Sequence, residues 1–399
     1  MSRIAMIVWN DFRNDARVLK EAETLQMQGY QVAVFALHQP SVTVKNENFG
    51  SGIKVIRTVR SPFAYLTKQT PTKSSANEPS NHFSRLRLVR LVLARIWTHF
   101  CIAVKVVYFR PRVVHAHDVN TLPTGWIAAS FSGAKLVYDA HEISTSREGY
   151  TSVRALVGRV EKYLMPKADG SITTTDARAK FFARAYGIPR PIVLQNRPRY
   201  EQTLKTARIR TELGLTNPWP IVLYQGGIQQ GRGLERLARI AAKVEGAYFV
   251  YIGSGRIEAD IKNTVRELDL GEKVFFIPTV PLADLPEYTA SADIGVQPIE
   301  NTCLNHFTTD SNKLFEYVIA GLPVVASDLP EIRKVVGEND LGLLVPPGDS
   351  LALVSALQTL VDDAPLRERY RQASVVAAKE LNWEQQEHKL TELYARIRR

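Results

Sequence analysis

With 399 residues the chain exceeds the ~250 residues at which a single hydrophobic core stops growing, which excludes one ordinary domain and points to two. Apolar residues at 45% and charged residues at 23% exclude a disordered chain. The two cysteines, Cys101 and Cys303, lie far apart with no Cys or His at metal-ligand spacing, so neither a disulfide framework nor a zinc site is indicated. Net charge is +11, divided unevenly: residues 1–200 carry 29 Lys and Arg against 13 Asp and Glu, a balance of +16, and residues 201–399 carry 22 against 27, a balance of −5. A one-sided positive field attracts anionic membrane, nucleic acid or acidic small molecules, and charge alone does not choose among them.

Met1 to Trp9 contains an apolar run too short for a signal peptide and reads as a buried first strand, so a cytoplasmic setting is expected. The helix after it starts at Asn14-Asp15, which can take up free amides, carries Val18, Ala22 and Leu25 on one face, and stops at Gly29. Strand-like runs follow at Gln31–Ala36, Val113–His115, Lys135–Tyr138, Gly170–Thr173 and Pro191–Leu194, and their alternation with helical patterns means parallel strands. A polar patch, Lys68 to Asn81, interrupts the series. Arg85–Arg112 holds seven Arg or Lys and no acid; an apolar stripe from Val89 to Val107 falls opposite Arg87, Arg90, Arg95 and Lys105. Its longest uncharged run, Ile96–Val104, is far shorter than the ~20 residues that span a bilayer, which leaves a membrane-surface helix and a sheet-covering core helix as alternatives.

The second half repeats the scheme with Ile221–Tyr224, Tyr248–Ile252, Val274–Ile277, Ile294–Gln297, Pro323–Ala326 and Leu343–Val345, runs that suit strands buried on both faces. The expected division is the Pro- and Arg-rich stretch from Asn196 to Lys205, giving an α/β chain of two doubly wound, Rossmann-like sheets with ligands at the carboxyl ends of the strands.

Two segments carry chemistry. Tyr224 to Gly233 is a Gly-rich turn between strand and helix, where missing side chains let backbone amides approach phosphate and Arg232 adds a fork of donors; the plain alternative is a tight turn with a surface Arg. Gly253 to Gly255 supplies a second loop of this kind. Thr308 to Val325 reads as loop, helix, Gly stop and buried strand, with Asp310 or Ser311 expected to cap the helix. Asn312 and Lys313 then lie in the first turn, where a Lys opposes the helix dipole unless an anion sits before it, and Glu316 lies one turn on. The plain alternative is an i,i+3 ion pair between Lys313 and Glu316. His115 and His117 alternate at a strand end, so that one is expected to point inward; His141 and Glu142 end another strand.

In this order, over nearly its whole length, the chain resembles the retaining GT-B glycosyltransferases often called family 4. The resemblance is carried by Asn14–Val18, His115-Ala-His-Asp118, Tyr138–Glu142, the Gly226–Arg232 turn, Ile252-Gly-Ser-Gly255, Ser291–Ile294, Asn312–Tyr317 with Ala320–Val325, and Asn382-Trp383 before a closing helix. It implies two Rossmann-like domains facing a central cleft: residues 1–200 binding the acceptor, 201–380 the nucleotide sugar, and 381–399 crossing back to the first domain. The donor, a UDP- or GDP-sugar, would be held by Gly226, Gly227, Arg232, Gly253, Asn312, Lys313 and Leu314, with Glu316 on the ribose and the base near Val280. His117 would face the transferred sugar, and His117, Arg232, Lys313 and Glu316 form the implied catalytic set. The acceptor would be a saccharide or lipid-linked saccharide at the inner face of the cytoplasmic membrane.

No Asp-x-Asp triplet occurs, so no metal and no cofactor is expected and the cations balance the diphosphate. Nucleic acid is not an expected partner, since no aromatic-interleaved basic motif accompanies the charge. Two positions depart from the family: Thr308 stands where the first of two Glu commonly falls, and Gly226-Gly227 replaces Gly-Arg. A non-catalytic nucleotide-sugar-binding or scaffold protein is therefore the competing expectation.

Overall fold

The structure, a computed structural model, describes residues 2–50, 52–61, 85–147, 150, 152–202 and 204–398. The patch at Lys68–Asn81 and the Arg87 side chain lie outside the described residues. The chain divides into two compact units, one of residues 1–173, 181–192 and 389–399, the other of 174–180 and 193–388.

The first unit holds eight strands, β1 (Arg3–Ile7), β2 (Gln31–His38), β3 (Asn46–Phe49), β4 (Ile53–Val59), β5 (Val113–His117), β6 (Lys135–Ala140), β7 (Gly170–Thr173) and β8 (Ile192–Val193), in the order β3-β4-β2-β1-β5-β6-β7-β8. Pairs from β4 through β7 are parallel, with Met6 opposite Val34 and His115, whereas β3 runs antiparallel to β4. That edge hairpin is absent from the sequence-based strands. Arg57 interrupts the apolar alternation of β4, yet it is buried, donating to the Asp11 and Val44 carbonyls and pairing with Glu47 at 2.6 Å.

Helix α1 (Ala16–Met27) starts as expected, with the Asp15 carboxylate accepting from Val18 N, and the chain leaves it through Gly29 at φ +81°. Helix α2 (Arg85–Phe109) departs from its expected orientation. Thr98, Ile102, Ala103 and Val106 face the sheet, while Leu93, Ile96, Trp97, Phe100, Val104 and Tyr108 are exposed. Of the residues assigned to the outer face, half-buried Lys105 points inward, donating to Arg57 O and Thr58 Oγ1, while Arg95 stays exposed, donating to Asn120 with its guanidinium 5.0 Å over the Trp9 ring. Lys105, satisfied on the docking side, leaves the apolar stripe in solvent. By length and composition, Val89–Phe109 is also apolar enough to cross a membrane, a property the uncharged-run length concealed.

Helix α3 (Asp118–Ser132) follows β5 directly, and helix α4 (Arg154–Leu164) packs beside it. The closing helix Glu387–Arg398 belongs to this unit from Lys389, placing Leu393 against Gly170 and the Tyr394 hydroxyl 2.9 Å from His115 Nδ1.

The second unit is a six-stranded parallel sheet in the order β11-β10-β9-β12-β13-β14, built from β9 (Ile221–Gln225), β10 (Tyr248–Ile252), β11 (Val274–Ile277), β12 (Ile294–Gln297), β13 (Val324–Ser327) and β14 (Gly342–Val345). Apolar clusters cover both faces, one around Phe249, Tyr251 and Leu357, the other around Leu314, Phe315 and Ile332. The order reverses between β9 and β12, which is where doubly wound sheets bind ligands.

In the first unit, α3 reaches the sheet through Gly125, where an added Cβ would stand 2.8 Å from Ala116 Cβ and 3.4 Å from Leu136 Cδ1. Overpacking there is expected to destabilise Gly125→Val by roughly 1–3 kcal/mol, read as a lower urea midpoint at unchanged slope. An unchanged midpoint would contradict this packing.

Candidate donor site and the buried histidine cluster

Backbone contact builds the donor site at the carboxyl ends of β9 and β10. Gly226 N donates to Ile252 O at 2.8 Å and Ile228 N to Ser254 O at 3.0 Å, so the two Gly loops lie directly against each other. A Cβ on Gly253, at φ +135°, would stand 2.2 Å from Gly226 O, and one on Gly226, at φ +113°, would stand 2.1 Å from Lys313 Cε. Only glycine accommodates both the backbone angle and the approach. The expectation of free amides along this turn is corrected accordingly: those of Gly226 and Ile228 are spent between the loops, while Gly227 N makes no bond among the described residues. Gly227 itself is exposed and has room for a side chain, so its departure from the family pattern is not dictated by packing.

Lys313 lies across Gly226, its ammonium 5.9 Å over the Tyr224 ring. Burial, then the Arg232 guanidinium, push its pKa down to about 8 against the pull of Glu316. No ion pair ties Lys313 to Glu316 among the described residues. Instead Glu316 Oε2 accepts from Gln225 Nε2 at 2.6 Å, and Gln225 Oε1 accepts from Thr289 Oγ1 at 2.8 Å. Arg232, half-buried between Gly231 and Gly233, makes no ion pair or hydrogen bond among the described residues.

The helix Asn312–Ile319 brings Asn312, Lys313, Leu314 and Glu316 together, with Asn312 exposed and Leu314 in the core. Its expected cap is corrected. Ser311 occupies the cap position at φ +48° with no side-chain bond to the helix amides, and the buried Asp310 carboxylate takes a bond from Gln195 instead, at 2.8 Å. The helix therefore presents bare N–H groups and a cation together, behind a strained residue. Val280 is half-buried beyond β11, beside the Ser254–Thr279 hydroxyl contact of 2.9 Å.

Sequence reasoning missed three participants. Gln225, the single polar residue closing an apolar strand, was the available signal for the Glu316 anchor. His306 packs against Gly231, a Cβ there falling 2.2 Å from its Cε1, with Nδ1 at 2.8 Å from Thr302 Oγ1. Thr308 does not leave a gap, because Arg178 Nε donates to its hydroxyl at 3.3 Å.

His117 ends β5 in the first unit, and here the expectation that one of the two histidines points inward is corrected: residues two apart on a strand share a face, and both are buried. Their rings stack with centroids 4.2 Å apart. His117, at 3% exposure, lies in a polar cluster. Around it Arg17 donates to both oxygens of Asp139 at 2.7 and 2.9 Å, and His141 Nε2 lies 3.1 Å from Asp139 Oδ2 and 3.3 Å from His117 Nδ1. Burial opposes charge on His141, but Asp118 and Asp139 raise its pKa to about 9. Burial lowers both His115 and His117, leaving them neutral. Glu142 lies 3.7 Å from Arg147.

The solved structure of sucrose-phosphate synthase from Thermosynechococcus elongatus superposes with a TM-score of 0.79 at 19% identity, covering 100% of this chain and 99% of that one. The Anabaena protein HepE in complex with UDP and glucose gives 0.75 at 16% identity, over 99% and 100%. Two Rossmann-like units in this arrangement along the chain define a GT-B architecture. Residues 15–196 match the glycosyl transferase 4-like domain and residues 220–363 match glycosyl transferases group 1. Over 310 residues, 71% of this chain and 70% of its relative, the sequence is 26% identical to the D-inositol 3-phosphate glycosyltransferase of Thermomonospora curvata. The chain belongs to the group 1 glycosyltransferases.

Lys313 carries its charge below about pH 8 and gives it up above, so affinity for a diphosphate is expected to fall as pH rises through that value. Titration calorimetry with pyrophosphate checks this. The same curve in Lys313→Met should be weaker and flat, and a wild-type affinity unchanged between pH 7 and 9 would contradict the assignment.

Proposed function

We propose that this glycosyltransferase takes a hexose from a uridine diphosphate sugar and transfers it, with retention at the anomeric carbon, to a saccharide or lipid-linked saccharide of the cell envelope. The observation that carries the reading is the pairing of two cations, Arg232 and Lys313, with an uncapped helix N-terminus beside a glycine-walled turn. A diphosphate supplies the negative charge this arrangement lacks. As the bond to the sugar breaks, charge grows on the leaving diphosphate, and preorganised donors stabilise it without reorganisation. Arg232 and Lys313 fill the place of a bridging metal, so donor binding proceeds without one. Glu316, held by Gln225, accepts from the ribose hydroxyls. HepE, a neighbour in fold, binds UDP and glucose, which favours uridine over guanosine; competition between UDP and GDP for the site separates the two.

Each of Glu316→Ala and Arg232→Ala removes a charge-assisted hydrogen bond of about 1.5–3 kcal/mol, which corresponds to a fall of roughly 10- to 150-fold in donor kcat/KM. Release of free nucleoside diphosphate on adding acceptor is the assay, and proton NMR of the product reads its anomeric configuration. Unchanged kinetics in both variants would sink the site, and an inverted product would refute retention.

The first unit is assigned to the acceptor side, peripheral on the cytoplasmic membrane face. Support comes from the exposed Leu93, Ile96, Trp97 and Phe100 of α2, from exposed Phe131 of α3, and from Leu156 and Tyr163 of α4 interleaved with exposed Arg154, Arg159 and Lys162. Apolar and aromatic side chains flanked by bases suit a lipid surface. Burial of Thr98, Ile102 and Val106 keeps α2 docked on its sheet, which argues for lying on the membrane over crossing it. Each base near anionic lipid contributes about 1 kcal/mol, so attachment should be reversible and weakened by salt. In vesicle sedimentation, wild type should bind phosphatidylglycerol vesicles, and Leu93→Asp/Phe100→Asp should bind at least tenfold more weakly. Indifference of the wild type to such vesicles at low salt would overturn the assignment.

A further inference from the structure

The polar cluster beneath the first sheet leaves an unusual set of atoms without partners. Glu21, His115, His117 and Asp139 are all buried, and each offers one ligand atom within 4.8 Å of the others'. Asp139 is already engaged by Arg17 and His141. By contrast, both carboxyl oxygens of Glu21, His115 Nε2 and His117 Nε2 have no hydrogen bond. Glu21 Oε2 faces His115 Nε2 at 3.8 Å; its Oε1 lies 3.1 Å from Arg17 Nε, an ion contact without hydrogen-bond alignment. Orphaned buried polar atoms cost about 1–3 kcal/mol each, so four in one buried cluster call for an occupant.

The other nitrogen of each ring is held. His115 Nδ1 is 2.9 Å from the Tyr394 hydroxyl, and His117 Nδ1 is 3.3 Å from His141 Nε2 with Asp139 Oδ2 at 3.5 Å. Rings anchored at Nδ1 and aimed by Nε2 are how proteins present imidazole to a metal.

We propose that Glu21, His115 and His117 bind a late first-row divalent cation, zinc above all, with Asp139 and Tyr394 orienting the two imidazoles. Two histidines and one carboxylate are a ligand set that zinc accepts. Glu21 would enter as a carboxylate and His115 and His117 as neutral imidazoles, the states that ligation requires. On binding, any proton on Glu21 leaves to solvent as the carboxylate–metal bond forms. Because the rings stack, one turns about χ2 so that both lone pairs meet the ion. Complete burial means that loading accompanies folding. The ion ties α1, β5 and the closing helix together, and its test reads metal content and melting, not glycosyl transfer.

The experiment is metal analysis of the full chain expressed with added zinc, followed by refolding from a chelator into buffer containing Zn²⁺ or Co²⁺. The expected result is one zinc per chain, a visible d–d absorption with Co²⁺, and a higher melting temperature with Zn²⁺ than without. Glu21→Gln, nearly isosteric, should lose the metal, and Tyr394→Phe should retain it with affinity lowered 10- to 100-fold. Wild-type protein holding under a tenth of an equivalent, with no Co²⁺ spectrum and no shift in melting, would overturn the proposal and leave buried water as the occupant. So would a folded Glu21→Gln protein with undiminished zinc; should that variant not fold, the wild-type arms decide alone.

Discussion

Everything in the second unit that bears on chemistry depends on the contact between the backbones after β9 and β10. Gly226 and Gly253 touch main chain to main chain, and no other residue type fits either place. That approach opens the channel in which Lys313 lies, so the ammonium is held over the turn by the absence of a side chain and not by an acidic partner. Lys313, Arg232 and the bare helix amides are consequently like charges and dipole ends gathered in one place. Such a cluster is unfavourable by itself, and Ser311 at positive φ adds strain of order 1–3 kcal/mol. Under the proposed donor assignment an incoming diphosphate would relieve the repulsion, so that part of its binding energy would come from instability already present in the free site.

The two units handle charge in opposite ways. In the second, Lys313 and Arg232 form no ion pair among the described residues, and Glu316 takes its hydrogen bond from an uncharged amide. In the first, charge is buried and largely matched: Arg17 grips Asp139, Arg57 grips Glu47 and two carbonyls, and Glu161 takes hydroxyl bonds from Tyr138, Ser144 and Tyr186. Buried pairs of this kind contribute little net stability, since desolvation cancels most of the attraction, but breaking one strands a charge. They make the first unit intolerant of single substitutions while leaving its fold stability to the apolar sheet.

Much of the architecture was legible because alternating Val/Ile runs and Gly stops report on backbone and burial, which are local properties. The six strands of the second unit and the Asp15 cap of α1 follow from such signals. The β3–β4 hairpin did not, because Arg57 looks like a surface residue until three acceptors surround it. Orientation of α2 failed for the same reason. Helical periodicity separates two faces, but which one is covered depends on where Lys105 and Arg95 find acceptors, and those acceptors are on β4 and α3. For the candidate donor site, the motif positions Lys313, Glu316 and Arg232 could be picked out from the sequence, whereas the Gln225 anchor, the spent loop amides and the missing cap are tertiary facts.

These same tertiary facts explain the asymmetry of +16 against −5 between the two halves. Were the basic residues of the first half engaged in its interior, the surplus would have no outward effect. Arg17, Arg57 and Lys105 are indeed consumed internally, and Arg95 is partly so. The exposed remainder on α4 sits on a helix packed beside α3, which itself packs on α2. Bases and exposed apolar side chains are therefore neighbours on adjoining helices. A solvated basic face would show the bases without the Trp97, Phe100, Phe131 and Tyr163 rings, and a plain core helix would have buried those rings. The proposed peripheral attachment rests on that combination, in which Lys105 is drawn inward by Arg57 O and Thr58 Oγ1 and leaves the apolar stripe uncovered.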